Sequence, residues 1–114
     1  MNERSDLDLA AVREALQRER TEILAMSAST ADSRRPVELD QQSVGRLSRM
    51  DAMQVQAMAQ AVDARRQGRL KRIEAALKRL DTGDYGYCLD CGEEIPAKRL
   101  ATDAVTERCV DCAA

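Results

Sequence analysis

The C-terminal part of the chain carries a paired cysteine motif. It reads CLDC at positions 88–91, continues for 17 residues, and then reads CVDC at positions 109–112. Two C-x-x-C pairs at this separation are typical of a zinc site, because each pair presents two thiolates on one side of a tight turn. With no ligand position left for water, we expect one structural Zn²⁺. Its predicted ligands are Cys88, Cys91, Cys109 and Cys112.

Two other interpretations of the cysteines remain open. The same four thiolates can hold iron, and C-x-x-C pairs can act as redox dithiols or form disulfides. The redox alternative usually accompanies a βαβ pattern, which this sequence lacks. The first residues, MNERSDLDLA, contain no apolar segment of a signal peptide. We therefore expect a cytoplasmic protein whose thiols stay reduced and can bind zinc.

The composition is typical of long paired helices. The 114 residues include no Phe, Trp or His and only two Tyr, whereas a compact globular core usually contains more aromatic side chains. Helix-forming residues dominate instead. No run of 18 apolar residues occurs, so we expect no membrane span. The lack of histidine, the closed metal site and the absence of a recognisable nucleophile–base pair argue against an enzyme.

Apolar periodicity predicts an antiparallel helical hairpin. Apolar residues recur at spacings of three and four over about 6–30 and again over about 41–81. Pro36 lies in the expected turn at about 31–40, which would place Leu9 opposite the low 60s. The first helix presents Leu9, Val12, Leu16, Glu19, Ile23 and Met26; the second presents one stripe of Val44, Leu47, Val55, Met58 and Val62 and another of Leu70, Ile73, Leu77 and Leu80.

The predicted chain is mainly all-α and has two parts. Residues 1–83 form the coiled-coil hairpin, and residues 84–114 form a small four-Cys zinc-finger module. Asp6 or Ser5 is expected to cap the first helix, and Gly83 to end the second. Between Met50 and Ala64, apolar residues cover more than one helix face. We expect an Ala/Met seam against the first helix there; the alternative is a second contact surface.

Charge is unevenly distributed along the chain. Residues 65–80 contain the single acid Glu74 and seven bases, whereas residues 81–114 contain eight acids and three bases. So many bases exceed what pairing along a helix requires, which favours a charged partner. The candidates for partner binding are Arg65, Arg66, Arg69 and Arg72.

A helical hairpin that leads directly into YGYCLDCG at 85–92 resembles the DksA/TraR family of bacterial transcription regulators. IP at 95–96, RL at 99–100 and RCVDC at 108–112 also match. The resemblance is specific over about 70–112 and looser over the hairpin. It implies a coiled-coil finger on a zinc globule that binds RNA polymerase through its secondary channel, with no requirement for direct DNA contact.

The resemblance also points to the turn of the hairpin. The best-known family members carry Asp-x-x-Asp-x-Ala at the tip, and the nearest stretch here is DQQSVG at 40–45. Asp40 matches the first acid, and Ser43 replaces the second. Asp51 is the alternative acid if the alignment contains a gap. Asp40 is equally suited to capping the second helix.

Relatives that respond to guanosine tetraphosphate tend to carry basic residues around and after the second cysteine pair. Here Ala113 follows Cys112 and Asp103 lies upstream, but Arg72 remains available. The resemblance thus makes this nucleotide a candidate ligand at the interface with polymerase. A different function is a nucleic-acid-binding zinc module that uses residues 65–79. The acidic module and the lack of stacking aromatics weaken that alternative.

Overall fold

The computed structural model describes residues 4–31 and 46–113. Over these ranges the chain forms four helices and one isolated antiparallel bridge, between Tyr87 and Glu94. The helices are α1 (Leu9–Ser29), α2 (Arg46–Thr82), α3 (Ala97–Thr102) and α4 (Val110–Ala113). This arrangement confirms the mainly all-α prediction. Within the described ranges, none of the helices combines the length and apolar character needed to cross a membrane.

The start of α1 is set by Asp8. Its carboxylate accepts a hydrogen bond from the Ala11 N–H at 3.0 Å, and its carbonyl accepts one from Val12 at 3.0 Å. This is the geometry of a helix N-cap. The expected cap at Asp6 or Ser5 is therefore wrong, and the helix begins later than the predicted start at about residue 6. The Asp6 carboxylate is instead engaged by Arg4, at 2.6 Å.

The end of α2 matches the prediction at Gly83. This glycine adopts a φ of 81°, a left-handed conformation that commonly ends helices. The N–H groups of Asp84 and Tyr85 then turn back to the Arg79 carbonyl, at 2.9 and 3.2 Å. α2 therefore stops at a defined residue, immediately before the cysteine motif. Its predicted start at about residue 41 and the predicted turn lie largely outside the described residues.

Contacts divide the chain into two compact units. We call Met1–Arg20 with Leu70–Ala114 the cysteine-bearing unit, and Thr21–Arg69 the helical unit. Each contains part of α1 and part of α2.

In the cysteine-bearing unit the two helices run antiparallel. Arg13 pairs with Asp81 at 2.8 Å, and Arg20 pairs with Glu74 at 3.8 Å. The predicted position of Leu9 opposite the low 60s is therefore wrong. That expectation assumed pairing symmetric about a turn centred near residue 36, and the ion pairs show a different register.

The core of this unit confirms the second apolar stripe of α2, apart from the half-buried Leu77. Leu16 from α1 packs into the same unit and is 1% exposed, while Ile73 is fully buried. The core continues beyond α2 into the loops and α3. Its buried hydrophobic residues are Leu16, Leu70, Ile73, Ala76, Leu80, Tyr85, Cys88, Ile95, Leu100 and Val105.

The helical unit also pairs α1 with α2, through polar contacts. Ser27 donates to the Asp63 carboxylate at 2.6 Å, and Arg66 donates to the Thr30 hydroxyl at 3.0 Å. Since Ser27 already meets Asp63, the N-terminal turns of α2 lie past the last turn of α1. Val55 and Met58 of the first apolar stripe are 62% and 68% exposed and consequently lie outside any seam, whereas Val62 is half-buried.

Candidate metal centre

The structure brings the four predicted ligands together. The sulfur atoms of Cys88, Cys91, Cys109 and Cys112 all lie within 4.8 Å of one another. The Sγ atoms of Cys91 and Cys109 are 3.7 Å apart. A tetrahedron with Zn–S bonds of about 2.3 Å has sulfur–sulfur edges of about 3.8 Å. The thiols therefore fit a single four-coordinate zinc, and none of the four is in a disulfide.

A short ribbon positions the first cysteine pair. Tyr87 and Glu94 form the antiparallel bridge, and the Cys88 N–H donates to the Glu93 carbonyl at 2.8 Å. The turn between them closes when the Gly92 N–H donates to the Cys88 carbonyl at 2.9 Å. Gly92 has a φ of 75°, and this conformation favours glycine.

A helical turn positions the second pair. The N–H groups of Cys112 and Ala113 both donate to the Cys109 carbonyl, at 3.1 and 2.9 Å, where α4 begins. The two pairs are tied together by the Leu89 N–H, which donates to the Glu107 carbonyl at 2.9 Å. The backbone thus fixes all four sulfurs relative to one another.

Arg108 adds an electrostatic tie between the two turns. Its guanidinium donates to the Asp90 carboxylate at 2.9 Å and to the Glu107 carboxylate at 3.0 Å. These contacts raise its pKa, the hydrogen bond to Asp90 most of all. No pattern in the sequence predicted this role, although Arg108 directly precedes Cys109.

The thiols are not equivalent. Cys88 is 3% exposed, and backbone N–H groups, first those of Cys109 and Cys91, lower its pKa to about 6. Hydrogen bonding to the Cys109 sulfur is the largest of the effects that raise the pKa of Cys112. Cys91, by contrast, is exposed. Because zinc binds thiolates, these N–H groups favour the form of Cys88 that coordinates metal.

The module rests on the end of α2 through Tyr85 and Arg79. The Tyr85 hydroxyl donates to the Ala104 carbonyl at 2.7 Å. Arg79 reaches the Val105 carbonyl and the Glu107 carboxylate, each at 3.5 Å. Arg79 belongs to the basic run of the sequence, yet its side chain is only 11% exposed. Its guanidinium therefore binds within the module, to Val105 and Glu107.

The predicted partner-binding residues have different surroundings. Arg65 and Arg72 are exposed, and Arg69 is half-buried. Arg66 is bonded to Thr30. Among the tip candidates, Asp51 is an exposed residue of α2. Asp40 and Ser43 lie outside the described residues.

Arg72 lines a surface cavity of about 240 Å³ on the cysteine-bearing unit. Arg99 and Arg108 also line it, together with the carboxylates of Asp103 and Glu107. Ala113 completes this wall. The structure therefore gathers in one place the positions that the sequence related to nucleotide binding, with acidic and basic groups mixed.

Comparison with known proteins relates this module to a described family. Residues 83–114 match the family described as prokaryotic dksA/traR C4-type zinc finger. Over 43 residues the chain is 54% identical to the RNA polymerase-binding transcription factor DksA of Haemophilus influenzae, covering 38% of this chain and 30% of that protein. The protein of the same name from Escherichia coli K12 is 42% identical over 43 residues, covering 38% and 28%. The match thus spans less than a third of these relatives.

A solved structure extends the likeness to the helices. The structure of transcription factor DksA2 from Pseudomonas aeruginosa is similar with a TM-score of 0.73 and 25% sequence identity, over 92% of this chain and 79% of that chain. Together with the tetrahedral fit of the thiols, the family description assigns one structural zinc to the four cysteines.

Proposed function

We propose that this chain, which belongs to the DksA/TraR family of C4-type zinc-finger proteins, is a bacterial regulator that binds RNA polymerase. The observation that carries the proposal is the direct continuation of α2 into the zinc module at Gly83. The similarity to DksA2 covers this whole arrangement, beyond the zinc finger alone. The chain acts as a binding protein in the cytoplasm, without catalysing a reaction of its own.

In this proposal the hairpin enters the secondary channel of the polymerase. A pair of helices is suited to a narrow channel, since each helix with its side chains is only about 10–12 Å wide. The four-Cys module, whose zinc is structural, stays outside the channel in this proposal. Neither part needs to contact DNA directly.

An acidic residue of the hairpin then acts near the catalytic metal ions of the polymerase. Carboxylates are suited to this role because Mg²⁺ prefers oxygen ligands. Asp40 is the first candidate and Asp51 the second; Ser43 supplies a hydroxyl where the best-known relatives carry another acid. Asp51 is exposed on α2 and so is accessible to a partner.

In this proposal, basic residues of α2 bind the polymerase through charge. Arg65 and Arg72 are exposed, and we propose that they face acidic groups on the outer part of the polymerase channel, with Arg66 and Arg69 in support. Arg79 is excluded from this set because it holds Glu107. Contacts between exposed charges weaken as salt rises, so this part of the interaction is expected to be salt-sensitive.

Guanosine tetraphosphate is a weaker candidate as a ligand. Arg72, Arg99 and Arg108 could attract its phosphates, but Asp103 and Glu107 line the same cavity and repel them. We therefore propose that polymerase binding occurs without the nucleotide. Adding the nucleotide should leave the binding affinity for polymerase unchanged within a factor of about two.

A polymerase pull-down beside in vitro transcription from a stable-RNA promoter tests the proposal. Asp40→Asn and Asp51→Asn should retain binding, and whichever carries the functional acid should lose the effect on transcription. The double variant Arg65→Glu/Arg72→Glu should bind more weakly, and increasingly so at higher salt. The matched control is Arg18→Glu, an exposed arginine of α1 whose ion pair is with Glu14.

The outcomes separate the two functions considered. Absence of binding by the unaltered protein contradicts the polymerase proposal. Retention on DNA or RNA at near-physiological salt, lost in the double variant, would identify a nucleic-acid-binding module instead.

A further inference from the structure

The N-terminal Arg4 is buried although it is charged. Its side chain is 3% exposed, and arginine is rarely buried unless its donors are paired. One nitrogen, Nη1, donates to the Gly86 carbonyl at 3.0 Å and also to the Ile95 carbonyl. The other two nitrogens donate to the Asp6 carboxylate, at 3.0 and 2.6 Å. Each of the three guanidinium nitrogens thus donates a hydrogen bond, either to a backbone carbonyl or to the Asp6 carboxylate.

The two carbonyls belong to the ribbon that positions the first cysteine pair. The Ile95 N–H donates to the Gly86 carbonyl at 2.8 Å, so Arg4 binds where the ribbon opens. Glu94, which forms the bridge with Tyr87, lies 3.5 Å from the Arg4 Nε. Arg4 therefore adds side-chain contacts to a ribbon that has few backbone hydrogen bonds of its own.

The close approach of Arg4 depends on Gly86. A Cβ at this position would lie 3.1 Å from the Arg4 Cδ and 3.2 Å from a methyl group of Leu7. Gly86 also has a φ of 91°, which side chains other than hydrogen rarely allow. The backbone at Gly86 is thus shaped to receive the segment that carries Arg4.

From these contacts we infer that residues 4–8 form an N-terminal strap that holds together the open end of the ribbon carrying the first cysteine pair, with Arg4 as the positioning residue that slows zinc loss. The strap ends at Asp8, where α1 begins, so it is anchored to the helix. Opening of the ribbon lets Cys88 and Cys91 separate from the other two thiols, which is one route for zinc to leave. Arg4 holds that ribbon at its end farthest from the cysteines. This role is independent of the proposed function.

Zinc release from the full-length protein tests the inference. The protein, loaded with one equivalent of Zn²⁺, is mixed with an excess of chelator, and release is followed with a metal indicator. Arg4→Ala should release zinc about tenfold faster, since it removes charge-assisted hydrogen bonds and leaves two carbonyls without this donor. Arg4→Lys should lie between, because an ammonium can meet a carbonyl but cannot reproduce the guanidinium fork.

The matched control is Arg13→Ala. Arg13 lies on α1 in the same unit and pairs with Asp81, outside the ribbon. Amide hydrogen exchange supplies the local readout: the Cys88 and Ile95 N–H groups, both bonded within the ribbon, should exchange faster in Arg4→Ala and not in Arg13→Ala. Equal release rates for Arg4→Ala and the unaltered protein would overturn the inference. Equal acceleration by Arg13→Ala would also overturn it, because the effect would then be general destabilisation.

Discussion

The two units of the chain differ in how they are held together. All ten buried hydrophobic residues of the described chain, from Leu16 to Val105, lie in the cysteine-bearing unit. In the described part of the helical unit the one buried residue is Ser27, a polar side chain. Exposed large hydrophobic residues show the opposite trend. Those in the helical unit are Leu24, Met26, Met50, Met53, Val55 and Met58.

Stability is therefore expected to be concentrated in the cysteine-bearing unit. Hydrophobic burial and metal ligation supply most of the favourable free energy of a small domain, and both occur in the cysteine-bearing unit. The helical unit depends on helix propensity and on polar contacts, which contribute less. Local opening should therefore require less free energy in the helical unit.

Loss of the metal should change the folded state more than any other perturbation. Cys91→Ser should abolish stable zinc binding, which can contribute on the order of 10 kcal/mol to folding a small zinc module. Residues 84–113 should lose protected amides while the chain keeps most of its helical circular dichroism signal. Removing zinc from the unaltered protein with a chelator should reproduce this change, and restoring zinc should reverse it. Well-folded protein that contains no zinc would contradict the prediction.

A pair of identical substitutions compares the two units directly. Ile73 is fully buried in the cysteine-bearing unit, whereas Ile23 is half-buried in the helical unit. Ile73→Ala should lower the free energy of unfolding by about 2–5 kcal/mol, because it leaves a cavity in a packed core. Ile23→Ala should cost about 1 kcal/mol. Denaturant titration measures both, and similar losses would show that the contrast between the units is wrong.

The polar contact of the helical unit should have an intermediate effect. Ser27→Ala removes the hydrogen bond to Asp63 and should cost about 1–2 kcal/mol, since it weakens the solvation of a partly buried carboxylate. The control is Ser29→Ala, which removes an exposed hydroxyl bonded to the Met26 carbonyl. Thermal unfolding compares them. An equal shift for both would mean that Ser27 contributes only helix propensity.

The smallest effect is expected at Met58. Since its side chain is 68% exposed, Met58→Gln should change the free energy of unfolding by less than about 0.5 kcal/mol. Repeating the measurement at several protein concentrations controls for association. A loss above about 1 kcal/mol would indicate that Met58 is covered in solution, and a concentration-dependent loss would identify a second copy as the cover.

Local sequence patterns predicted the parts of the structure that depend on local geometry. The cysteine spacing located the thiol cluster, because each pair lies within one turn. The stripe from Leu70 to Leu80 predicted burial through its helical period, apart from the half-buried Leu77. Gly83 has the positive φ expected of a glycine that ends a helix.

Features that depend on distant contacts could not be predicted in the same way. Asp6 and Asp8 are equally good caps in isolation, and the engagement of Asp6 by Arg4 separates them. Helix register depends on where α1 and α2 meet, which periodicity does not specify. Arg79 looked like one more base in a cationic run, yet its partner Glu107 is 28 positions away.

The double anchoring of Gly86 restricts how this chain can change length during evolution. Gly86 follows the end of α2 at Gly83. The segment that precedes α1 contacts Gly86 through Arg4. One residue inserted between Leu80 and Gly83 would rotate everything that follows by about 100° around the helix axis and advance it by about 1.5 Å. Gly86 would then miss Arg4. Natural variants should accordingly keep two spacings fixed, the one from Leu80 to Gly86 and the one from Arg4 to the start of α1. Differences in length should occur elsewhere in the chain.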